Sequence, residues 1–392
     1  MKIQARLGIT ALLTLGLFAC SGGEGSSGGE PAKPAEGEAT KAAEGGDAPA
    51  EENKGPRGPF TLAWSEYPSW SALDVASSKG YLNGKEGELG EFEKKFNVDI
   101  VLKEAEYDAC LTMYGANQVD AVAITNMDIL NPSMTRTSVA IMPTSTSYGA
   151  DAVIVDKKKV KNVKALKKVE TKGLDLSVSQ YMFARNLELQ KQDPKKFKFT
   201  SMDPGAAALA MQQKDKKTMS IAVWNPFVMS TLEKRGKDVK VLFDSTSIPG
   251  EIIDMIVMAE DSLKKDGGAD AAHAIIAAFY ALNKDMADEA KREDTLKAIG
   301  EKFADLDAKQ MEKVVDMTRF YGTADLGIQV FTDGALLDGV TEKKISEVMP
   351  DVVKFSMDYG IIEKEPKITY GAEGDGNLRF DPTYMKNVQG AM

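Results

Sequence analysis

The stretch Phe60-Thr-Leu-Ala-Trp-Ser-Glu-Tyr-Pro-Ser-Trp70 sets two indoles, a phenol, a carboxylate and several hydroxyls directly after an apolar run. Ring faces beside hydrogen-bonding groups hold a small molecule; without a nucleophile and its base they do not transform one. Two further apolar runs end in the same way. Residues 121–124 open into Thr125-Asn-Met-Asp128, and residues 139–142 run into Pro143-Thr-Ser-Thr-Ser-Tyr148. Ile221-Ala-Val-Trp224 stops at Asn225-Pro-Phe227, and Asp254 interrupts the apolar run Glu251-Ile-Ile-Asp-Met-Ile-Val-Met258. A buried, unpaired carboxylate is costly, so Asp254 must be paired, hydrogen-bonded or liganded. Plainer roles stand beside these: the aromatics as packing residues, Asn126 and Asp128 as helix caps, Trp224 as a strand-end packing residue.

The elements that must position these residues alternate. Strands are predicted over 60–65, 98–102, 121–124, 139–142, 150–155, 197–201, 221–224, 239–243 and 251–258, and Leu174 to Val178 leads into a helix over 180–190. Helices are predicted over 72–79, 90–96, 107–117, 269–283, 289–304, 308–321, 342–349 and 352–359, with another after Asp203 as N-cap and Pro204 at its first position. Residues 326–338 carry a weaker helical pattern, and the turn-rich tail from Gly371, with Asp381-Pro-Thr-Tyr384, reads as packed on the surface. This order is α/β, and open α/β sheets collect ligands outside the carboxyl ends of their strands. The composition changes at the Lys-rich run after residue 155, where a second lobe begins, and the run at 251–258 reads as the return crossing.

Lys2, Arg6, an apolar run over 7–18 and Leu17-Phe-Ala-Cys20 make a secretory leader. The apolar run is shorter than the ~20 residues that a bilayer core requires. Residues 21–58 are mostly Gly, Ser, Ala, Glu, Pro and Lys, and read as an extended tether. The formal net charge of −10 divides into +2 for the leader, −4 for the tether and −8 for the remainder. An acidic domain argues against nucleic-acid binding, and the lysines at 157–168 read as a solvated face. The chain has two cysteines and one histidine. Cys110 reads as buried and inert, and His273 as part of an alanine-rich helix rather than a catalyst. No phosphate-loop, HExxH or CxxC pattern occurs, so no cofactor or metal is implied.

Ala63-Trp-Ser65, Thr125-Asn126, Gly149-Ala-Asp-Ala152, Val223-Trp-Asn-Pro-Phe227 and Ile253-Asp-Met-Ile-Val257 with Glu260-Asp261 follow one another in an order that resembles the solute-binding proteins of bacterial ABC importers. The resemblance is to the nitrate, sulfonate and taurine class with a type II periplasmic-binding fold. Trp64-Ser-Glu-Tyr-Pro-Ser-Trp70, Lys85-Glu-Gly-Glu-Leu-Gly90 and Met113-Tyr-Gly-Ala-Asn117 look like a subgroup associated with urea-carboxylase operons. Leu17-Phe-Ala-Cys20 resembles a lipobox, which implies a signal peptide at 1–19, a lipidated Cys20 and a lipid-anchored protein facing the periplasm or the extracellular side.

The resemblance implies two lobes, residues 59–152 with 252–392 and residues 153–251, each an open, mostly parallel sheet flanked by helices, hinged at two crossings. It implies a monomer that binds a small solute in the interlobe cleft and delivers it to an inner-membrane permease. The ligand-binding candidates are Ser65, Glu66, Tyr67, Trp70, Thr125, Asn126, Asp128, Ser145 and Ser147 on one side, and Ser177, Ser179, Gln180, Trp224, Asn225 and Glu251 opposite, with Asp254 at the crossing. Ser177 or Ser179 serves equally as a helix cap. The candidate loops carry carboxylates and no lysine or arginine over 65–71, 125–132 or 224–227. That pattern suits a small cation or a urea-like amide, such as guanidine, urea or a related amine, better than nitrate, a sulfonate or taurine. A thiamine pyrimidine precursor, or an enzyme of pyrimidine synthesis on the same fold, is the remaining alternative, and the single histidine argues against the enzyme.

Overall fold

The computed structural model describes residues 55–390. The leader, Cys20 and the tether up to residue 54 lie outside the described residues. Ordered structure begins earlier than the tether composition suggests. Strand β1 is Arg57–Trp64, and Arg57 is held at its start by Asp270 at 2.8 Å and the Phe96 carbonyl at 2.8 Å.

The strands that follow are β2 Val98–Glu104, β3 Ala121–Thr125, β4 Ser138–Ser147, β5 Asp151–Asp156, β6 Glu170–Gly173, β7 Lys198–Ser201, β8 Ser220–Trp224, β9 Val239–Asp244, β10 Ile253–Ala259, β11 Thr318–Phe320, β12 Leu336–Leu337, β13 Val340–Thr341, β14 Ile368–Tyr370 and β15 Leu378–Phe380. Eight of them form one sheet, in the order β14-β15-β4-β10-β3-β1-β2 with β11 beside β4. Five form a second sheet, β7-β6-β8-β5-β9, and β12 pairs with β13. Every residue of β3, β4 and β10 is buried, which is why these strands read as continuous apolar or hydroxyl runs rather than alternating ones.

Both sheets are mostly parallel, with six of eight strands running one way in the first and four of five in the second. β10 runs antiparallel to β3 and to β4, and β5 runs antiparallel to β8 and to β9. The cause is the short connections between sheets: a strand that enters directly from the other sheet has no crossover helix to turn it parallel. One connection spans 148–150 and the other 245–252. Gly149 takes φ +96 in the first and Gly250 φ +72 in the second, where a Cβ would lie 2.8 Å from the Glu342 Cβ. Ser245 ties the two together, with its Oγ 2.8 Å from Ser147 Oγ and accepting the Gly149 N–H at 2.7 Å.

Three local expectations change. The first helix is Pro68–Ser78, so Ser69, Trp70 and Ser71 belong to its opening turn; Pro68 at the first position is the signal. The hydroxyl run 143–147 continues β4 instead of forming a loop, because Thr144 to Ser147 find partners inside the protein. The helical patterns at 342–349 and 352–359 form one helix, Ile345–Asp358, with Pro350 inside it.

The tail is also part of the structure rather than surface decoration. β15 pairs with β4 and β14 with β15, Asp381 is 2% exposed, and the helix Thr383–Gln389 buries Met385 and Val388. Cys110 is buried as expected, and burial pushes its thiol up to about 11. Among the described residues, no helix is long and apolar enough to cross a membrane. The tail yields a first expected outcome. Phe380, fully buried against Phe331 and Tyr370, contributes core packing, so Phe380→Ala should lower the unfolding free energy by about 3–5 kcal/mol. Urea denaturation measures this, and a loss below about 1 kcal/mol would return the tail to a surface role.

Candidate functional site

Where the two sheets meet, a cavity of about 90 Å³ is lined from both sides. The first sheet supplies Ser65, Glu66 and Tyr67 after β1, Trp70 in the next helix, Thr125 and Asp128 at the end of β3, and Ile252 and Asp254 at the start of β10. Asp151 opens β5, Leu174 follows β6, Ser177 and Val178 begin the helix Val178–Leu189, and Trp224 ends β8. Tyr107, first residue of the helix Tyr107–Gly115, completes the wall.

The aromatic wall is fixed by its own packing. The Trp70 ring stacks on Tyr107 with centroids 5.5 Å apart and planes at 16°, and it meets Tyr67 at 4.9 Å and 46°. Trp70 is 3% exposed, and its indole N–H has no protein partner. Buried indole N–H groups usually have one.

Three aspartates share this space. Asp128 Oδ2 accepts the Tyr107 hydroxyl at 2.8 Å and the Thr125 hydroxyl at 2.7 Å. Burial nevertheless pushes its carboxyl up to about 6. Asp254, on β10 opposite Thr125 and Ser145, has Oδ2 2.5 Å from Ser145 Oγ. Ser145 Oγ lies 2.9 Å from Ser69 Oγ, which lies 2.9 Å from Thr144 Oγ1. Burial raises the Asp254 carboxyl well above the ordinary range, and the charges of Asp151 and Asp128 add to the rise.

Asp151 is 2% exposed and stands opposite Trp224 in the second sheet. Its backbone N–H donates to Ser147 Oγ at 3.1 Å, while its carboxylate Oδ1 has no protein partner. Burial pushes Asp151 up to about 6, with Asp128 raising it further. Among the described residues, no lysine, arginine or histidine lines the cavity.

A larger surface groove, about 670 Å³, runs past Tyr81, Asp285 and Lys291. Its one buried acid is already neutralised, since Asp285 takes Lys79 and Lys291 at 2.8 Å each, and Glu91, Asp288 and Asp325 are exposed to water. Burial pushes that carboxyl up, but the two lysines and Tyr81 outweigh it and hold it at about 2. The uncompensated charge is in the smaller cavity.

The structure brings Ser65, Glu66, Tyr67, Trp70, Thr125, Asp128, Ser177, Trp224 and Asp254 together around that cavity. Ser177 is also the helix cap, accepting the Ser179 N–H at 3.2 Å. Glu66 is exposed at the rim. The other candidates lie outside the lining, and most of them bond elsewhere, although Ser179 Oγ and Asn225 Oδ1 are buried without a protein partner.

Asn126 clamps the second crossing, donating to the Glu251 carbonyl at 3.1 Å and accepting the Ile253 N–H at 3.0 Å. Ser145 braces Asp254, and Ser147 braces Asp151. Ser179 is buried within its helix, and Gln180 accepts the Leu176 N–H at 2.7 Å. Asn225 is fully buried, with its side chain toward Met317 Sδ at 3.4 Å. Glu251 is an ion-pair hub, with Arg185 at 2.8 Å, Lys343 at 3.3 Å and the Tyr181 hydroxyl at 2.8 Å. Burial pushes its carboxyl up, but Arg185 and Tyr181 outweigh that and hold it below its ordinary value.

Sequence reasoning missed Tyr107, Asp151, Leu174, Val178 and Ile252. Asp151 had the signal that marked Asp254, a lone carboxylate inside an apolar run. Tyr107 had none, since only the fold carries the start of that helix to the cavity. His273 is not in the lining; it sits on the helix Gly268–Ala287 between the rings of Phe96 and Tyr384.

No protein-family model and no curated protein matches the chain. Solved structures do. The periplasmic aliphatic sulphonate binding protein from Escherichia coli superposes with TM-score 0.58 at 16% identity, over 78% of this chain and 89% of that one. The alkanesulfonate-binding protein from Xanthomonas axonopodis pv. citri, bound to MOPS, gives 0.57 at 12% identity, over 80% and 96%. A Candida albicans gene product described as having the generic periplasmic binding protein fold gives 0.52 at 12%, over 85% and 95%. At these identities the likeness is one of fold: this chain has the two-sheet α/β fold of periplasmic binding proteins.

The cavity acids should be visible in stability. Asp151 titrates higher in the folded protein than its ordinary 3.8, so the folded state holds the proton more tightly. Its contribution to stability therefore falls as pH rises from about 4 to about 6, and at neutral pH the full penalty is present. Asp151→Asn should stabilise the ligand-free protein at about pH 7.5 by on the order of 1–3 kcal/mol, and the gain should vanish below about pH 4. Thermal unfolding across that range measures it; a destabilised variant at neutral pH would contradict the electrostatic account.

Proposed function

We propose that the protein is the extracytoplasmic solute-binding component of an ABC importer, that it captures a small nitrogen-containing solute, guanidine, urea or a related amine, between its two lobes, and that it performs no chemistry. The observation that carries the ligand class is the convergence of Asp128, Asp151 and Asp254 on an aromatic-walled cavity of about 90 Å³ with no basic residue in its lining. N–H groups of the solute donate to the carboxylates, and its flat face lies on an indole. A cavity of that size admits a molecule of a few heavy atoms. The periplasmic-binding fold supports the importer role. The lobes would be 59–152 with 252–392 and 153–251, the crossings would act as hinges, and Cys20 would carry the lipid. The urea-carboxylase subgroup belongs to the same reading.

Guanidinium-like or urea-like compounds should raise the melting temperature of the tether-free domain, following roughly RT ln(1 + [L]/Kd), while nitrate, sulfate and taurine should not. Asp254→Asn should weaken binding by about tenfold or more without unfolding the domain, and Glu66→Gln, at the exposed rim, by less. Tight calorimetric binding of an anion, unaffected by either substitution, would remove the ligand assignment and leave the binding-protein role. Separately, Cys20→Ala should abolish incorporation of a fatty-acid probe and leave the folded domain intact; labelling that persists would refute the anchor.

A further inference from the structure

Asp128, Asp151 and Asp254 line one cavity of about 90 Å³, where Asp254 feels the charges of both others and Asp151 that of Asp128. Like charges in a buried cavity repel and are poorly solvated, so ionising all three carboxylates here is costly without positive charge. The side chains in the lining carry no full positive charge. Tyr67, Tyr107 and Asp108 are neutral or acidic neighbours from the first lobe, and Tyr321 feels the charge of Asp254 while its hydroxyl bonds Glu342. At the rim Glu66 is surrounded by Glu104, Glu106 and Asp305. The one base near Glu66, Lys302, is ion-paired with Glu104 at 2.5 Å.

Two residues of the lining carry a buried polar atom without a protein partner: Asp151 at Oδ1 and Trp70 at its indole N–H. The hydroxyl chain Ser145, Ser69, Thr144 can serve either protonation state of Asp254. With the acid protonated, each hydroxyl can donate one step away from it; with the acid ionised, Ser145 turns to donate to it.

We propose that this cavity takes a compact monovalent cation in exchange for a proton, with Asp128, Asp151 and Asp254 holding one positive charge in common whether or not ligand is present. The proposal rests on the binding-protein reading and names its substrate class: a cation, not a neutral amide of the same shape. When the cation enters, the O–H bond of one carboxylic acid breaks, the proton passes to the bulk buffer, and the carboxylate left behind accepts the cation's N–H groups. The net charge of the cavity does not change. A neutral isostere supplies no charge to displace the proton, and its carbonyl oxygen meets carboxylate oxygens.

Titration calorimetry of the whole domain with guanidinium and with urea, in buffers of different ionisation heat, tests this. Guanidinium should bind about tenfold or more tightly at about pH 8 than at about pH 5, and should release close to one proton per cation near pH 6. Urea should bind at least about a hundredfold more weakly at neutral pH. Asp151→Asn, which is expected to fold stably, and Asp128→Asn should each reduce guanidinium affinity about tenfold or more and reduce the proton release. Guanidinium binding with unchanged affinity across that pH range and no buffer dependence would overturn the exchange and leave the solute-binding role standing, as would urea binding as tightly as guanidinium. Failure of both compounds, with tight binding of a sulfonate, would overturn the ligand reading as well.

Discussion

Negative charge without a protein counter-charge, placed where two sheets meet, is the constraint around which this molecule is arranged. Asp254 occupies a central strand that is buried along its whole length, and Asp151 opens the strand that enters the other sheet. Each aspartate therefore belongs to a segment that joins the two sheets. Several buried acids elsewhere are answered by bases, Asp285 by Lys79 and Lys291, Glu251 by Arg185 and Lys343, Asp120 by Lys265 at 2.5 Å, whereas Glu93 rests on backbone N–H groups and Glu342 on the Tyr321 hydroxyl. The same chemistry is withheld at the cavity. Ionised groups in a low-dielectric site destabilise the fold, and such strain concentrates where a ligand relieves it.

The surrounding bonds keep that site in place without neutralising it. Hydroxyls, not cations, hold the acids: Tyr107 and Thr125 hold Asp128, Ser145 holds Asp254, and Ser147 holds the backbone of Asp151. The connections themselves are fixed by Ser245 between them and by Asn126 on the second. Farther out, Arg185 on the helix Val178–Leu189 reaches Asp351 on the helix Ile345–Asp358 at 3.0 Å as well as Glu251. Polar groups close to the cavity thus orient, and the ion pairs lie one layer away.

The sequence carried the parts of this arrangement that depend on local pattern. The runs that became β3 and β10 are apolar throughout, and Asp254 stood out because nothing in its own strand could neutralise it. The loops after β1 and β3 were legible for the same reason: polar and aromatic residues crowd directly after apolar ones. What could not be read depends on partners distant in the chain. Asn126 and Glu251 have ligand-binding side chains at ligand-binding positions, yet Asn126 bonds a crossing 125 residues away and Glu251 pairs with Arg185 at a separation of 66. Ser145 and Ser147 looked like loop hydroxyls because a strand of serine and threonine has no apolar alternation to betray it. β14 and β15 span three residues each, too short for any period.

The same fold in the two sulfonate-binding proteins does not carry their ligand across to this chain, and the balance of charge shows why. Two helices, Pro68–Ser78 and Val178–Leu189, begin at the cavity and bring their N-terminal dipoles to it. Each is worth roughly half a positive charge, so together they supply about +1, enough to favour an anion in a cavity with neutral walls. Here the walls contribute up to three carboxylates, and the sum stays negative unless two protons are bound. The helix ends then have a different consequence: they lower the cost of keeping the acids partly ionised and so let the cavity exist in a stable fold. On the proposed reading, a framework with helix ends able to favour an anion becomes, with aspartate at 128, 151 and 254, one whose charge a cation completes.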